Sequence, residues 1–184
     1  MVLEERLDRF KALIQEDDFL EGKGLSNEVN IRFFCYDPKD EMTVRHFVSH
    51  LLDADLVCNI VELNLYEMFM GICSDMGILD EIPEMEAKNG PAYLLEQLRY
   101  AVSEDQFIEK ISALIGKRDR EVLLIDGVGD AFPFLRVHKI LETVQQHFKE
   151  MPVLVMYPGT FDGTSLRLFN RLEPNPYYRA FNII

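Results

Sequence analysis

The sequence predicts a three-layer α/β sandwich, in which helices cover both faces of a mostly parallel, five-stranded sheet. Short and nearly continuous apolar runs recur along the chain, as expected for strands that are buried on both faces. Amphipathic stretches at helical spacing separate these runs. The chain has 184 residues, of which 48% are hydrophobic and 28% charged, a composition sufficient for one ordered core. We therefore expect a single domain over residues 1–184.

The first part of the chain alternates helices with strands. Residues 31–36 form an aromatic and β-branched run that predicts the first strand, and residues 57–63 predict the second. Amphipathic helices are predicted before the first strand, between the two strands and after the second. Their apolar stripes are Leu3, Leu7, Phe10 and Ile14, then Val44, Phe47, Val48, Leu51 and Leu52, and finally Leu65, Met68, Phe69, Ile72, Met76 and Leu79.

Strand patterns are absent from residues 80–116, and this segment is predicted to be a helical insertion. Pro91 is well placed to begin a helix. Ser103 and Gln106 have the spacing of a capping box at the start of the next helix, and Gly116 is a typical stop signal. The insertion therefore separates the second strand from the third.

The last part of the chain predicts three more strands. Residues 122–125 form a fully apolar run that ends in Asp126, and a helix is expected from about Pro133. Residues 153–156 predict the fourth strand, which a turn-rich loop and a short helix should follow. Residues 179–184 predict the closing fifth strand. Strands joined through helices imply parallel neighbours with right-handed crossovers.

The strand that ends in Asp126 resembles the Walker B strand of P-loop NTPases, whose carboxylate holds Mg²⁺ near the nucleotide phosphates. Such proteins need a glycine-rich phosphate loop between a strand and a helix. The first junction of that kind, residues 36–41, has no glycine and carries three carboxylates, which would repel phosphate. We therefore predict a P-loop-NTPase-like fold that lacks the phosphate-binding loop and binds no cofactor. A degenerate domain that still senses nucleotide is an alternative.

Charge and cysteine content restrict the class of protein. Asp and Glu number 32 against 19 Lys and Arg, a formal net charge of −13, which disfavours binding of nucleic acid by the surface as a whole. Cys35, Cys58 and Cys73 have neither disulfide-framework nor zinc-site spacing. The start of the chain lacks a signal-peptide pattern, and no apolar run reaches membrane-spanning length. We expect a cytoplasmic protein with reduced thiols and no membrane contact.

Four carboxylates, Asp37, Asp126, Asp130 and Asp162, follow predicted strands. Because the carboxyl ends of parallel strands form the ligand-binding edge of a sheet, these side chains could hold a divalent metal. The corresponding alternative function is a metal-dependent phosphoryl-transfer enzyme or nuclease. Helix capping by Asp37 before Pro38 and turns at the two Asp-Gly pairs explain the same acids without a metal. We therefore predict no metal site, and Asp37 and Asp126 are the candidate ligands if one exists.

Other residue types with catalytic potential have structural interpretations. His46 and His50 lie four residues apart on one face of a predicted helix, opposite its apolar stripe, and are expected at the surface. His138 adjoins a buried stripe and is expected to make a hydrogen bond in the core. Ser165 has no nucleophile-elbow motif around it. We therefore predict no catalytic residue and a protein that is not an enzyme.

The most specific motif of the chain is YPGTFDGTSLRLF at residues 157–169. Further characteristic segments are residues 19–28, 36–38, 124–129, 132–138 and 175–181. Together these segments, which extend over nearly the whole chain, resemble the BrxB family of bacterial BREX phage-defence systems.

The resemblance implies a component that acts with a methyltransferase, a large ATPase and the alkaline-phosphatase-like protein PglZ to restrict phage while host DNA is methylated. The family offers no established catalytic residues, so the implied role is that of an adaptor or scaffold that binds PglZ. Because Tyr and Arg are favoured at binding hot spots, the candidate interface residues are Arg136, His138, Asp162, Arg167, Tyr177, Tyr178 and Arg179. In the alternative interpretation, Phe161, Leu166 and Phe169 close the edge of the sheet, and Asp162 pairs with Arg167.

Overall fold

A computed structural model of the chain describes residues 1–22, 30–148, 151–176 and 181–184. The helices in these ranges are α1 (Leu3–Leu13), α2 (Asp17–Leu20), α3 (Glu41–Leu52), α4 (Leu65–Asp75), α5 (Ile82–Asn89), α6 (Pro91–Ala101), α7 (Glu104–Leu114), α8 (Val128–Ala131) and α9 (Val137–His147). The strands are β1 (Ile31–Tyr36), β2 (Asn59–Asn64), β3 (Glu121–Asp126), β4 (Val153–Phe161), β5 (Ser165–Leu168), β6 (Asn175–Pro176) and β7 (Phe181–Asn182). Single 3₁₀ turns precede α3 and α5, at Pro38–Asp40 and Leu79–Glu81.

The strands form an open, mixed sheet in the order β2-β3-β4-β1-β7, with β5 paired to β4 and β6 paired to β5. Neighbours along the main path are parallel, whereas β4-β5 and β5-β6 are antiparallel. The α/β class is confirmed. The prediction of five strands is wrong, because the sheet has seven strands in the described ranges.

The extra strands replace the short helix that was predicted after the fourth strand. β4 continues beyond Met156 to Phe161, and the chain then turns back so that β5 pairs with its end. Asp162 makes this turn, because its Oδ1 accepts backbone hydrogen bonds from Thr164 at 2.9 Å and Ser165 at 2.7 Å. An Asx turn of this kind competes with helix formation, and the helix prediction is therefore wrong.

Helices cover both faces of the sheet, and each face has its own core. Along β1, Phe33 and Cys35 enter the core beneath α4, α6, α7 and α9. Phe34 and Tyr36 enter the core beneath α1, α2 and α3, where Phe34 meets Phe10 edge to face with 5.4 Å between ring centroids. Alternate residues of a strand point to opposite faces, and burial of both sets requires a strand in the sheet interior.

The helical insertion is confirmed as helices α5, α6 and α7. Its capping box is confirmed as well, since the Ser103 backbone N–H donates to Gln106 Oε1 at 2.8 Å. The helix expected from Pro133 begins instead at Val137, after the short helix α8 and a linker over residues 132–136. Arg99 of α6 holds that linker by donating from Nε and Nη2 to the Pro133 carbonyl, at 2.9 and 2.7 Å. Within the described ranges, no helix has the length and apolarity needed to cross a bilayer.

Candidate functional site

Asp37 lies at the carboxyl end of β1 and caps the turn that leads into α3. Its Oδ1 accepts a hydrogen bond from the Lys39 backbone at 3.1 Å, and its Oδ2 lies 3.1 Å from Lys39 Nζ. The backbone and side-chain hydrogen bonds from Lys39 lower the pKa of this exposed carboxyl. Asp37 therefore has the capping role that its position before Pro38 predicts.

Asp126, at the end of β3, is a buried carboxyl with an incomplete set of partners. The residue is 9% exposed, and its Oδ1 has no hydrogen-bond partner among the described residues. Burial raises its pKa to about 7, and the neighbouring charge and hydrogen bond of Glu62 on β2 act in the same direction. The two carboxyls therefore share a proton more readily than both ionise.

Next to this carboxyl pair, Arg45 of α3 belongs to a group with Tyr36, Glu41 and Asp130 that joins β1, α3 and α8, and we call it the Arg45 group. Arg45 Nε donates to Glu41 Oε1 at 2.8 Å, and Arg45 Nη2 donates to Asp130 Oδ2 on α8. Glu41 also accepts a hydrogen bond from Tyr36 Oη at 2.8 Å. This group was not predicted from the sequence. The local pattern that could have indicated it is the spacing of Glu41 and Arg45 at i and i+4, which is favourable for an ion pair on a helix.

The strand-end acids do not converge on a common point. β4 lies between β1 and β3, so Asp37 and Asp126 stand two strand spacings apart, roughly 10 Å. Asp130 is paired with Arg45, and Asp162 is engaged in its turn. In the part of the chain that the structure describes, no group of three or more His, Cys, Asp or Glu side chains is placed to hold a metal ion.

The histidines and the serine occupy ordinary positions. His46 and His50 are exposed on α3, with ring centroids 4.1 Å apart and a 2.8 Å contact between His50 Nδ1 and the His46 carbonyl. His138 is half-buried on α9, and burial lowers its pKa. Ser165 is the first residue of β5.

Two cavities meet at the segment that leads into α9, and we call this region the α9 surface. The basic cavity, of about 200 Å³, has an apolar floor that includes Phe107, Phe134 and Ile140. The apolar cavity, of about 240 Å³, lies between α9 and the strands β4 and β5. Leu135 and Arg136 line both cavities and separate them. The basic residues of the first cavity are Arg99, Arg136 and Lys139. The second cavity includes Phe132, Val137, His138, Tyr157, Leu168 and Leu172.

The candidate interface residues are thus divided. Arg136 and His138 lie together in the lining of the apolar cavity, whereas Asp162 and Arg167 are exposed on the β4-β5 hairpin and line neither cavity. Asp162 bonds to its own turn, and no ion pair joins it to Arg167 in the described ranges, so the pairing expected between them is wrong. Leu166 is buried, as the packing alternative expected. Tyr177, Tyr178 and Arg179 lie outside the described residues.

Arg99 and Lys139, which line the basic cavity together with Arg136, were not predicted from the sequence. Lys139 lies three residues after Arg136 and is therefore next to it on the surface of α9. This spacing could have predicted that the two side chains belong to one site. Arg99 is on α6, and only the packing of the insertion against the linker brings it to the cavity. No local pattern predicts a contact between residues 34 positions apart.

The chain is similar to known proteins of one family. The model of the family "BREX protein BrxB" matches residues 61–183. A BREX protein BrxB of Bacillus cereus (strain H3081.97) is 34% identical over 189 aligned residues, covering 99% of this chain and 97% of that protein. A BREX protein BrxB of Escherichia coli O9:H4 (strain HS) is 28% identical and covers 100% of this chain and 92% of its own. No solved structure matches. The chain belongs to the BrxB family of BREX proteins.

Proposed function

We propose that this protein is a non-catalytic adaptor of a BREX antiviral defence system. It binds other BREX proteins, with PglZ as its main partner, and so supports phage restriction and methylation of host DNA. It acts in the cytoplasm, where its three buried, free cysteines stay reduced.

The α9 surface is the observation that carries this proposal. Two cavities with apolar floors meet at an exposed arginine, and binding hot spots are enriched in aromatic and arginine side chains that fill such pockets. By contrast, the carboxylates at the strand ends are engaged in capping, turns or ion pairs, except at Asp126. A surface for binding is therefore better supported than a site for chemistry.

To test this proposal, the purified protein and PglZ are mixed at micromolar concentration and analysed by size-exclusion chromatography with light scattering, which shows whether they co-elute. We expect a complex of defined mass. The charge reversals Arg136→Glu and Arg167→Glu probe the two candidate arginines that lie in the described ranges, both of which are exposed. We expect Arg136→Glu to weaken the complex by about tenfold or more.

Arg9→Glu is the matched control. Arg9 is exposed on α1, which packs on the opposite face of the sheet from α9. Its reversal changes the net charge equally and should leave the complex intact. Absence of a complex with the unmodified protein at micromolar concentrations would refute PglZ as a direct partner, and the large BREX ATPase would be tested next.

One observation favours the second candidate, a metal-dependent phosphoryl-transfer enzyme or nuclease on a P-loop-like fold. Asp126 ends an apolar strand with an unpartnered, buried Oδ1, which is where such an enzyme would hold its metal. Calorimetric titration with Mg²⁺ alone tests this candidate, and titration with Mg-ATP tests the separate alternative of a domain that only senses nucleotide. Binding of Mg²⁺ that is lost in Asp126→Asn would support a metal site, and binding of Mg-ATP at micromolar concentration would support a nucleotide site. No heat with either ligand would reject both.

A further inference from the structure

The basic cavity is a concentration of positive charge on an acidic protein. The chain has a formal net charge of −13, yet Arg99, Arg136 and Lys139 line this cavity and Glu104 is the acid in its lining. In the described ranges, neither Arg136 nor Lys139 takes part in an ion pair. The three cations of the lining outnumber its one acid, so the cavity has a net positive charge that attracts an anionic group of a partner.

The beginning of α9 adds a second, independent feature that favours an anion. α9 has 11 residues, no side chain caps its N-terminus, and its first turn contains no acidic residue. The N-terminal turn of a helix carries partial positive charge and unpaired backbone N–H groups. Arg136 occupies the N-cap position, where a carboxylate or a hydroxyl would be favourable. A carboxylate from a ligand would complete this helix terminus.

The size and floor of the cavity select the kind of ligand. Phe107 is fully buried, Ile140 is 2% exposed, and Phe134 stacks on Phe69 with 5.0 Å between ring centroids. The floor is therefore apolar and firmly packed. A volume of about 200 Å³ is below the roughly 300–1,000 Å³ of pockets for drug-sized ligands and cofactors. It suits one large apolar side chain, with charged groups held at the rim.

We propose that the basic cavity binds an acidic peptide segment of a partner protein, in which a Leu or Phe side chain is flanked by Asp or Glu. The apolar side chain contacts Phe134 and Leu135, which are the partly exposed apolar residues of the lining. The flanking carboxylates contact Arg136 and Lys139, and one of them caps α9. Arg99, fixed by its two hydrogen bonds to the Pro133 carbonyl, presents its guanidinium to the same segment. This inference rests on the proposed adaptor function and specifies what the adaptor recognises.

The experiment is selection of a displayed library of random 12-residue peptides on the full-length protein, so it does not depend on the identity of the partner. Enriched peptides are then measured by fluorescence polarisation. We expect a consensus with Leu or Phe beside at least two acids. The double variant R136E/K139E should bind the consensus peptide about tenfold or more weakly, and replacement of the peptide acids by their amides should have a similar effect.

R9E/K88E is the control, because it reverses two exposed charges on helices outside the cavity and should retain binding. Circular dichroism verifies that both double variants remain folded. Equal binding by R136E/K139E, or a consensus without acids, would overturn the inference. So would displacement of the peptide by micromolar inorganic pyrophosphate, which would identify a site for small anions. Co-elution with PglZ in the absence of an acidic consensus would refute this inference alone and leave the adaptor function standing.

Discussion

Two arginines of this protein have opposite surroundings. Arg45 on α3 donates to Glu41 of its own helix and to Asp130 of α8, so its charge is compensated within the fold. Arg136, before α9, has no such pair in the described ranges, although the chain carries 32 acidic residues. What distinguishes Arg136 is its position, because it lines both cavities of the α9 surface. Arg45 therefore connects elements of the fold, whereas Arg136 is available to a partner.

The largest expected effect concerns Asp126, the buried carboxyl beside the Arg45 group. Its pKa is raised from 3.8 to about 7, so the native state holds a proton that the unfolded chain releases above pH 4. The free energy of unfolding should therefore fall as pH rises from about 4 to about 7 and stay lowered above that range. Asp126→Asn removes this penalty and should stabilise the protein at pH 8 by about 2 kcal/mol.

Denaturant titrations at pH 4.5 and pH 8 measure this difference, which should be small at the lower pH. Asp130→Asn is the matched control, because Asp130 is exposed and paired with Arg45, and it should not stabilise the protein at either pH. A loss of stability in Asp126→Asn at pH 8 would show that the ionised carboxyl has a favourable partner.

A smaller effect on the free energy of unfolding is expected from Tyr36→Phe, which removes the hydrogen bond from the buried Tyr36 to Glu41 of the Arg45 group. Tyr36 is buried and donates to Glu41 Oε2 at 2.8 Å, and loss of a hydrogen bond to a charged acceptor costs about 1.5 kcal/mol. Tyr157 is a buried tyrosine whose hydroxyl makes no hydrogen bond within the described ranges. Tyr157→Phe should therefore change the free energy of unfolding by less than about 0.5 kcal/mol, and equal effects of the two substitutions would contradict the assignment.

The smallest expected effects on the free energy of unfolding are those of alanine substitutions at the two arginines. Arg45→Ala removes contacts to two carboxylates at a partly exposed site and should destabilise the fold by about 1 kcal/mol. Arg136→Ala should change stability by less than about 0.5 kcal/mol, because no ion pair is lost. Urea denaturation of the two variants compares them. If Arg136→Ala were the more destabilising of the two, Arg136 would be a structural residue and the interpretation of the α9 surface would fail.

The course of the chain through the fold could be predicted where local patterns are strong. The first strand, residues 31–36, and the capping box of Ser103 and Gln106 are present as predicted, because the apolar periodicity and the cap lie within a few residues. The hairpin after β4 was not predicted. Its formation depends on the pairing of β5 with the extension of β4, and turn residues there are compatible with several continuations.

Residues close together in the chain suffice to predict the α/β class, the alternation of buried strands with amphipathic helices, the helical insertion and the capping role of Asp37. Tertiary packing is needed to bring Arg45 to Asp130, 85 positions away, and Arg99 to the linker before α9. Such contacts depend on how helices pack across the sheet, and this packing is set by the summed burial of many side chains. The candidate binding surface therefore emerges from the packing, although its arginine was visible in the sequence.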